Sequence, residues 1–176
     1  MKTLYFLFTL ILFLTCEPGE DPGRQRAGAF YEHPSSPDKI MAQAVLDEVN
    51  ALRAAGCTCP GGYRYASARA LRWDKQLEQA AQVHAEDMRK RRYFSHTSID
   101  GIEFSGRITR AGYDWKAVGE NIAKGYPTAK SVVAGWRNSK DHCPNLMNPK
   151  FQDMGVGKAG PYWVQDLGRR KTAHSQ

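Results

Sequence analysis

His142 and Cys143 stand side by side in the stretch SKDHCPNLMNPKFQDMGVG. An imidazole next to a thiol is compatible with three chemistries. The pair can ligate a metal, the thiol can act as a nucleophile with the ring as its base, or the cysteine can close a disulfide beside an unrelated imidazole. Two more polar residues sit in constrained settings, His96 in YFSHTSIDG and Glu120 in VGENIA. Two imidazoles and a carboxylate form a common zinc ligand set, and the same three can hold a water for acid–base work. His96, Glu120 and His142 belong to three separate segments, so only the fold can bring them together.

The cysteines are read through the compartment, and the compartment through the N-terminus. MKTLYFLFTLILFLTC has one lysine and then an apolar run relieved only by Thr9. The run is shorter than the roughly 20 apolar residues a spanning helix needs, and the flexible EPGEDPGRQRAG that follows carries no stop-transfer cluster. Residues 1–15 are therefore expected to be an export signal. Cys16 closes the apolar run, as the acylated first residue of a bacterial lipoprotein would, and lipidation there is expected. Export leads to an oxidising environment, where Cys57, Cys59 and Cys143 are better read as disulfide partners than as maintained thiolates. A bridge between Cys57 and Cys59 would close a tight ring of poor geometry. A long bridge from one of them to Cys143, with Cys59 preferred, closes about 85 residues and restricts the unfolded chain by on the order of 4 kcal/mol in the entropy model. One of the three thiols is left over, but an occupied Cys143 cannot be the nucleophile served by His142, and neighbours in sequence seldom aim their side chains at one another.

The chain has 176 residues, with 25 Lys and Arg against 18 Asp and Glu, for a formal charge of +7. That length suits one domain with a substantial core. The positive excess gathers in Arg89-Lys90-Arg91-Arg92 and Arg169-Arg170-Lys171. Without interleaved aromatic residues or a recognisable module these read as a solvated helix end and a tail, and no nucleic-acid partner is expected.

Three helices and a set of short strands must position the polar residues. Residues 16–37, rich in Pro, Gly, Ser and charge, read as a tether, and order is expected from Asp38 to residue 170, with a disordered tail at 171–176. Met41, Val45, Val49 and Leu52 mark one helix face with Gly56 as its stop, and Asp74 caps a second helix carrying Leu77, Ala80, Ala81, His84 and Met88. Ala129, Val132, Val133 and Trp136 mark a third. AVGENIA and DMGVGKAGPYWVQDLG predict strands, the latter a hairpin turning near Ala159-Gly160-Pro161. Helices separated by strands that return by hairpins fit a layered α+β domain.

His84-Ala85-Glu86 matches half of a zinc nucleobase deaminase signature, but no P-C-x-x-C supplies the other half, and His84 lies on its helix's apolar stripe. A packed core histidine is the expectation. H-E-x-x-H, G-x-S-x-G, the P-loop and the dinucleotide fingerprint are absent.

YFSHTSIDG, AGYDWKAVGENIAKGY, VVAGWRNSKDHCPNLMNPKFQDMGVG and YWVQDLG follow one another in an order and spacing that resembles the CAP superfamily of cysteine-rich secretory, antigen 5 and pathogenesis-related 1 proteins. The resemblance covers about residues 38–168. It implies a three-layer α-β-α sandwich with a central antiparallel sheet and a cleft in which two His and two acidic residues hold a divalent cation, often zinc. His96, Glu120 and His142 take three of those places. The position of the second acid is Ser139, a departure that leaves a thinner site completed by water, with Asp141 nearby and Asn121, Ser139 and Asp141 expected to line the cleft. Bacterial members pair cysteines at the positions of Cys59 and Cys143, leaving Cys57 as an addition.

Two functions follow as expectations. One is an exported or surface-anchored monomeric binding module whose cleft takes a polymer, lipid or protein partner and a cation. The other is a zinc-dependent hydrolase of peptides or envelope material, with Glu120 activating the metal's water; a purely structural domain with a vestigial site is a third reading. Labelling with an acyl precursor should mark the wild-type chain and leave Cys16→Ala unlabelled; equal labelling of both removes the anchor.

Overall fold

The computed structural model describes residues 36–171. The expected signal peptide, Cys16 and nearly all of the expected tether and tail lie outside the described residues. In chain order the elements are α1 (Pro37–Ala55), β1 (Cys57–Thr58), β2 (Arg64–Tyr65), β3 (Arg72–Trp73), α2 (Lys75–Arg91), α3 (Phe104–Arg110), β4 (Trp115–Lys124), α4 (Ala129–Arg137), α5 (Cys143–Met147), β5 (Asp153–Ala159) and β6 (Tyr162–Arg170). No helix among the described residues is long and apolar enough to cross a membrane.

The helix ends follow local chemistry. The Ser36 side chain accepts from the Lys39 amide at 3.2 Å and Pro37 opens α1, so the helix begins one residue before the expected Asp38. Asp74 caps α2 as expected, accepting from Gln76 N and Leu77 N at 2.9 and 3.1 Å. Thr128 and Ser131 form a reciprocal box at the start of α4. Two helices were not expected. α3 contains Gly106 and two β-branched residues and has no side-chain cap, and α5 spans only five residues.

Four strands form the central sheet in the order β3-β5-β6-β4. β5 and β6 form the expected hairpin, pairing from Asp153↔Gly168 to Ala159↔Tyr162, and β4 lies antiparallel on the far side of β6. The central sheet is antiparallel as expected except at one edge, where β3 pairs in parallel with β5 through Arg72↔Asp153 and Trp73↔Met154. That pairing is only two residues long because Asp74 immediately turns the chain into α2.

Strand alternation divides the core into two. Ala123, Met154, Val156, Trp163 and Leu167 face α1, α4 and α5, against Val45, Val49, Trp136 and Leu146. Ile122, Tyr162 and Val164 face α2 with Ala81, Ala85 and Met88, while Leu77, Ile108 and Tyr113 fill the space toward α3. The result is a sheet between two helical layers. α2 approaches β5 so closely that a Cβ on Gly155 would overlap the backbone of Leu77 and Glu78, and one on Gly157 the backbone of Ala81 and Gln82.

Arg53 occupies a core position on α1 with no exposure. Its guanidinium donates to the carbonyls of Arg69 at 2.8 Å, Leu146 at 2.7 Å and Asn148 at 3.1 Å, with Phe151 O at 3.5 Å. A buried cation is thus satisfied by backbone oxygens at the C-terminal end of α5, where helix carbonyls carry partial negative charge. Burial lowers its pKa from the ordinary arginine value.

Because Gly157 admits the α2 backbone at contact distance, Gly157→Ala is expected to lower unfolding free energy by about 3 kcal/mol, the upper range for overpacking, measured by urea denaturation. A loss below about 0.5 kcal/mol would mean α2 is not seated as described.

Candidate cation-binding cleft

His96 lies on the segment between α2 and α3, and two buried side chains hold that segment. His84, fully buried as expected of a core histidine, meets the carbonyl of Ser95 through Nε2 at 2.9 Å. A carbonyl only accepts, so Nε2 carries the proton. Burial, reinforced by the charge of Arg107, pushes the His84 pKa down and keeps the ring neutral. Arg107, from α3, donates through one terminal nitrogen to His96 O at 2.9 Å, Ile102 O at 2.8 Å and Ser98 Oγ at 3.2 Å. Its other terminal nitrogen meets Glu120 Oε2 at 2.6 Å.

Glu120 lies on β4 and faces the α2–α3 layer. Its second oxygen, Oε1, accepts from His96 Nδ1 at 2.7 Å. The Glu120 side chain is 1% exposed, whereas that of His96 is 45% exposed. With Nδ1 turned inward to a carboxylate, Nε2 is the His96 nitrogen left for whatever enters from solvent.

His142 approaches from the opposite layer, at the N-terminal end of α5. Its backbone is tied down on both sides. The amide donates to Ser139 Oγ at 3.4 Å, and the carbonyl accepts from Asn145 N, Leu146 N and Asn121 Nδ2 at 3.1, 3.2 and 3.4 Å. The imidazole is half-buried and its pKa is pushed down by burial first and then by the charge of His96, against the opposing pull of Asp141.

The structure brings His96 and Glu120 into direct contact and does not gather all three expected ligands tightly. Among the described residues, the only group of three or more His, Cys, Asp or Glu whose ligand atoms all lie within 4.8 Å is Cys57, Cys59 and Cys143. Glu120 stands behind His96, both its oxygens engaged. Asn121 does not line the cleft as expected. Adjacent strand residues point to opposite faces, so Glu120 facing α3 sends Asn121 under α5, fully buried, where it donates to Gln165 Oε1 and accepts from Asn145 Nδ2, each at 2.9 Å. Ser139 is half-exposed, and its hydroxyl accepts from the amides of Asp141 and His142, so it shapes the turn into α5. Asp141 is exposed on that turn. The bridge joins Cys59 to Cys143 as expected, with Cα atoms 5.8 Å apart, and so fastens the residue after His142 to the β1–β2 hairpin.

Sequence reasoning missed Asp166. It is the cross-strand partner of Glu120 on β6 and has no exposure. Neither of its oxygens, nor Arg107 Nε, has a hydrogen-bond partner within the protein. Burial, and after it the neighbouring Glu120 carboxylate, raises the Asp166 pKa well above the ordinary range, with Arg107 opposing. The signal was present in the alternation: Tyr162 and Val164 share a face with position 166, so a carboxylic acid there must be buried under α2 and α3.

A family model described as the cysteine-rich secretory protein family matches residues 46–166, more than half of the chain. The chain belongs to this family. Two proteins of Bacillus subtilis (strain 168) are similar to it: YkwD, 36% identical over 99 residues, and the membrane protein YlbC, 35% identical over 100 residues. The matched segments cover 55% and 57% of this chain but only 38% and 29% of those proteins, so the chain spans about a third of their length. Among solved structures, an SCP-domain extracellular protein of Bacillus anthracis str. Ames superposes with a TM-score of 0.68 at 29% identity, covering 78% of this chain and 45% of that one. An outer surface protein of Borrelia burgdorferi gives 0.65 at 23% identity over 76% of this chain and 95% of that one. A cysteine-rich secretory protein of Staphylococcus aureus subsp. aureus Mu50 gives 0.62 at 16% identity over 78% and 40%. The last two bear on the fold alone. They agree with the CAP sandwich implied by the sequence.

The buried acid gives a pH test with a defined sign. A carboxyl whose folded pKa is raised contributes fully below its unfolded value of about 3.9 and loses that contribution as pH climbs toward the folded value. Asp166→Asn has no proton to lose, so its urea midpoint should rise relative to wild type between about pH 4 and pH 7. A midpoint difference that stays constant across that range would contradict a proton held by Asp166.

Proposed function

We propose that this family member is an exported binding module whose cleft holds a divalent cation, zinc foremost, on the imidazoles of His96 and His142. The observation that carries the reading is the 2.7 Å contact between His96 Nδ1 and an inaccessible Glu120 carboxylate. A carboxylate behind a ligating histidine fixes its tautomer, orients its ring and raises its basicity. Two imidazoles are soft enough donors for zinc but do not close its coordination shell, and positions left to water suit a cation that receives an incoming oxygen ligand. When bound, the ion would supply a Lewis-acidic anchor for such an oxygen. His96 and His142 would hold it, while Glu120, Arg107 and the Cys59–Cys143 bridge position the two rings.

The ligand of this module is a cell-envelope polymer, a lipid or a partner protein, bound by the monomer. Export is supported by the N-terminal apolar run and by the extracellular and outer-surface descriptions of the B. anthracis and B. burgdorferi proteins. The alternative, a zinc-dependent hydrolase with Glu120 as the base, is disfavoured. Both Glu120 oxygens are engaged, by His96 and Arg107, and the side chain is 1% exposed.

Calorimetric zinc titration of the full chain tests the site. Wild type should bind one ion, His96→Ala and His142→Ala should each weaken it at least tenfold, and Glu120→Gln should weaken it by about 10–100-fold, the range for partners behind a metal ligand. Equal affinity in wild type and both histidine variants would eliminate the site. Turnover of casein or envelope polymer that chelator abolishes would favour the hydrolase instead.

A further inference from the structure

Cys57 and Cys59 are two residues apart in the extended chain of the β1–β2 hairpin, where Cys57 pairs with Tyr65 and the Cys59 amide donates to Tyr63 O at 2.8 Å. Residues two apart on extended chain point to the same face, so both sulfurs turn toward the start of α5. Cys59 is bonded to Cys143, and Cys57 is a free thiol. Its Sγ lies 3.8 Å from Cys143 Sγ and 4.0 Å from Cys59 Sγ. Three sulfur atoms from two distant segments therefore form one cluster, and the alternative pairing needs one S–S bond exchanged for another, with Cys57 Sγ turning from beside the Cys59–Cys143 bond onto its axis.

We infer that Cys57 is a built-in exchange partner of this bridge, so that Cys143 alternates between Cys59 and Cys57. The step is balanced without any outside oxidant. The Cys57 thiol gives up its proton, and the thiolate attacks Cys143 Sγ. The Cys57–Cys143 bond forms as the Cys59–Cys143 bond breaks, and the electron pair leaves on Cys59, which takes up a proton. The reverse step restores the starting pair. The two bridges close loops that differ by two residues, so loop entropy hardly distinguishes them. Packing does, because Cys59 is buried at 3% exposure whereas Cys57 is half-buried. The bridge through Cys59 is thus the major form, with Cys57 the more accessible thiol. Burial raises the Cys57 pKa and the charge of Arg137 opposes that rise, so the exchange requires the minor thiolate fraction.

The exchange gives the cluster a repair activity. When a small external thiol opens the bridge by bonding to Cys143, Cys57 is in position to displace it and close the loop again. The N-terminal end of α5, and His142 with it, stays tethered. This inference stands apart from cation binding, since it needs neither imidazole.

The test uses the full chain in a Cys16→Ala background, so that only the three clustered cysteines are read. The protein is held at about pH 8.5, where thiolate forms, then quenched in acid, alkylated with N-ethylmaleimide and mapped by fragmentation mass spectrometry. Label on both Cys57 and Cys59, with both bridges to Cys143 present, is expected. Label confined to Cys57 at all times would overturn the proposal. As a second arm, Cys59→Ser should form the Cys57–Cys143 bridge as completely as Cys57→Ser forms Cys59–Cys143; two free thiols in Cys59→Ser would also overturn it. If Cys59→Ser fails to fold, the label distribution in the three-cysteine chain decides alone.

Discussion

The Arg107 guanidinium, 7% exposed, holds the functional end of the molecule together. It joins the segment carrying His96 to the strand carrying Glu120, through three acceptors on the first and one carboxylate oxygen on the second. A buried ion pair of this kind contributes little net stability, because desolvation offsets the Coulomb attraction. What it supplies is definition. With Oε2 held by Arg107, Glu120 has one oxygen left, and that oxygen determines which nitrogen of His96 faces inward. Asp166 beneath would place a second negative charge beside one arginine, and the low-dielectric surroundings answer by raising its pKa toward the protonated form.

The cleft follows from strand order. β4 is an edge strand, and an edge leaves backbone groups facing outward. Here Asn145 Nδ2 donates to Glu120 O at 3.3 Å and Trp136 Nε1 to Ile122 O at 3.2 Å, so side chains from α5 and α4 cover the edge where another strand would otherwise pair. The segment between α2 and α3 comes down on one side of that edge and the turn before α5 on the other. His96 and His142 belong to different layers, the first fastened to β4 through Glu120 and the second through Asn121.

Much of this was legible in the residues. Asp74, the apolar stripe of α2 and the hairpin at Gly160-Pro161 announced themselves through capping, period and turn chemistry, and His84 was placed correctly in the core by its position on that stripe. The roles of site residues were less accessible. Glu120 and Asn121 are neighbours, and strand parity forbids both from facing one cleft, a constraint available from the sequence and not applied to Asn121. α3 and α5 lacked caps, length or strong propensity, so their existence depends on tertiary contacts: Arg107 for the first, and the Cys59 bridge with Arg53 for the second. Arg53 follows Val45 and Val49 at four-residue spacing, so its position on the buried stripe was legible, but its partners, carbonyls up to 98 residues away, were not.

That last arrangement bears on how the cleft can move. The far end of α5 is closed by a charge lent from α1, whose four acceptors belong to α5, to the residues just beyond it and to the strand-entry segment near Arg69. Drawing α5 outward to admit a bulky guest would strip a guanidinium of its oxygens inside a dry interior, with no carboxylate among them to compensate. The wall bearing His142 is therefore anchored through Arg53 much as the segment bearing His96 is anchored through Arg107, and a guest would meet two fixed walls with the His96 ring open to solvent between them.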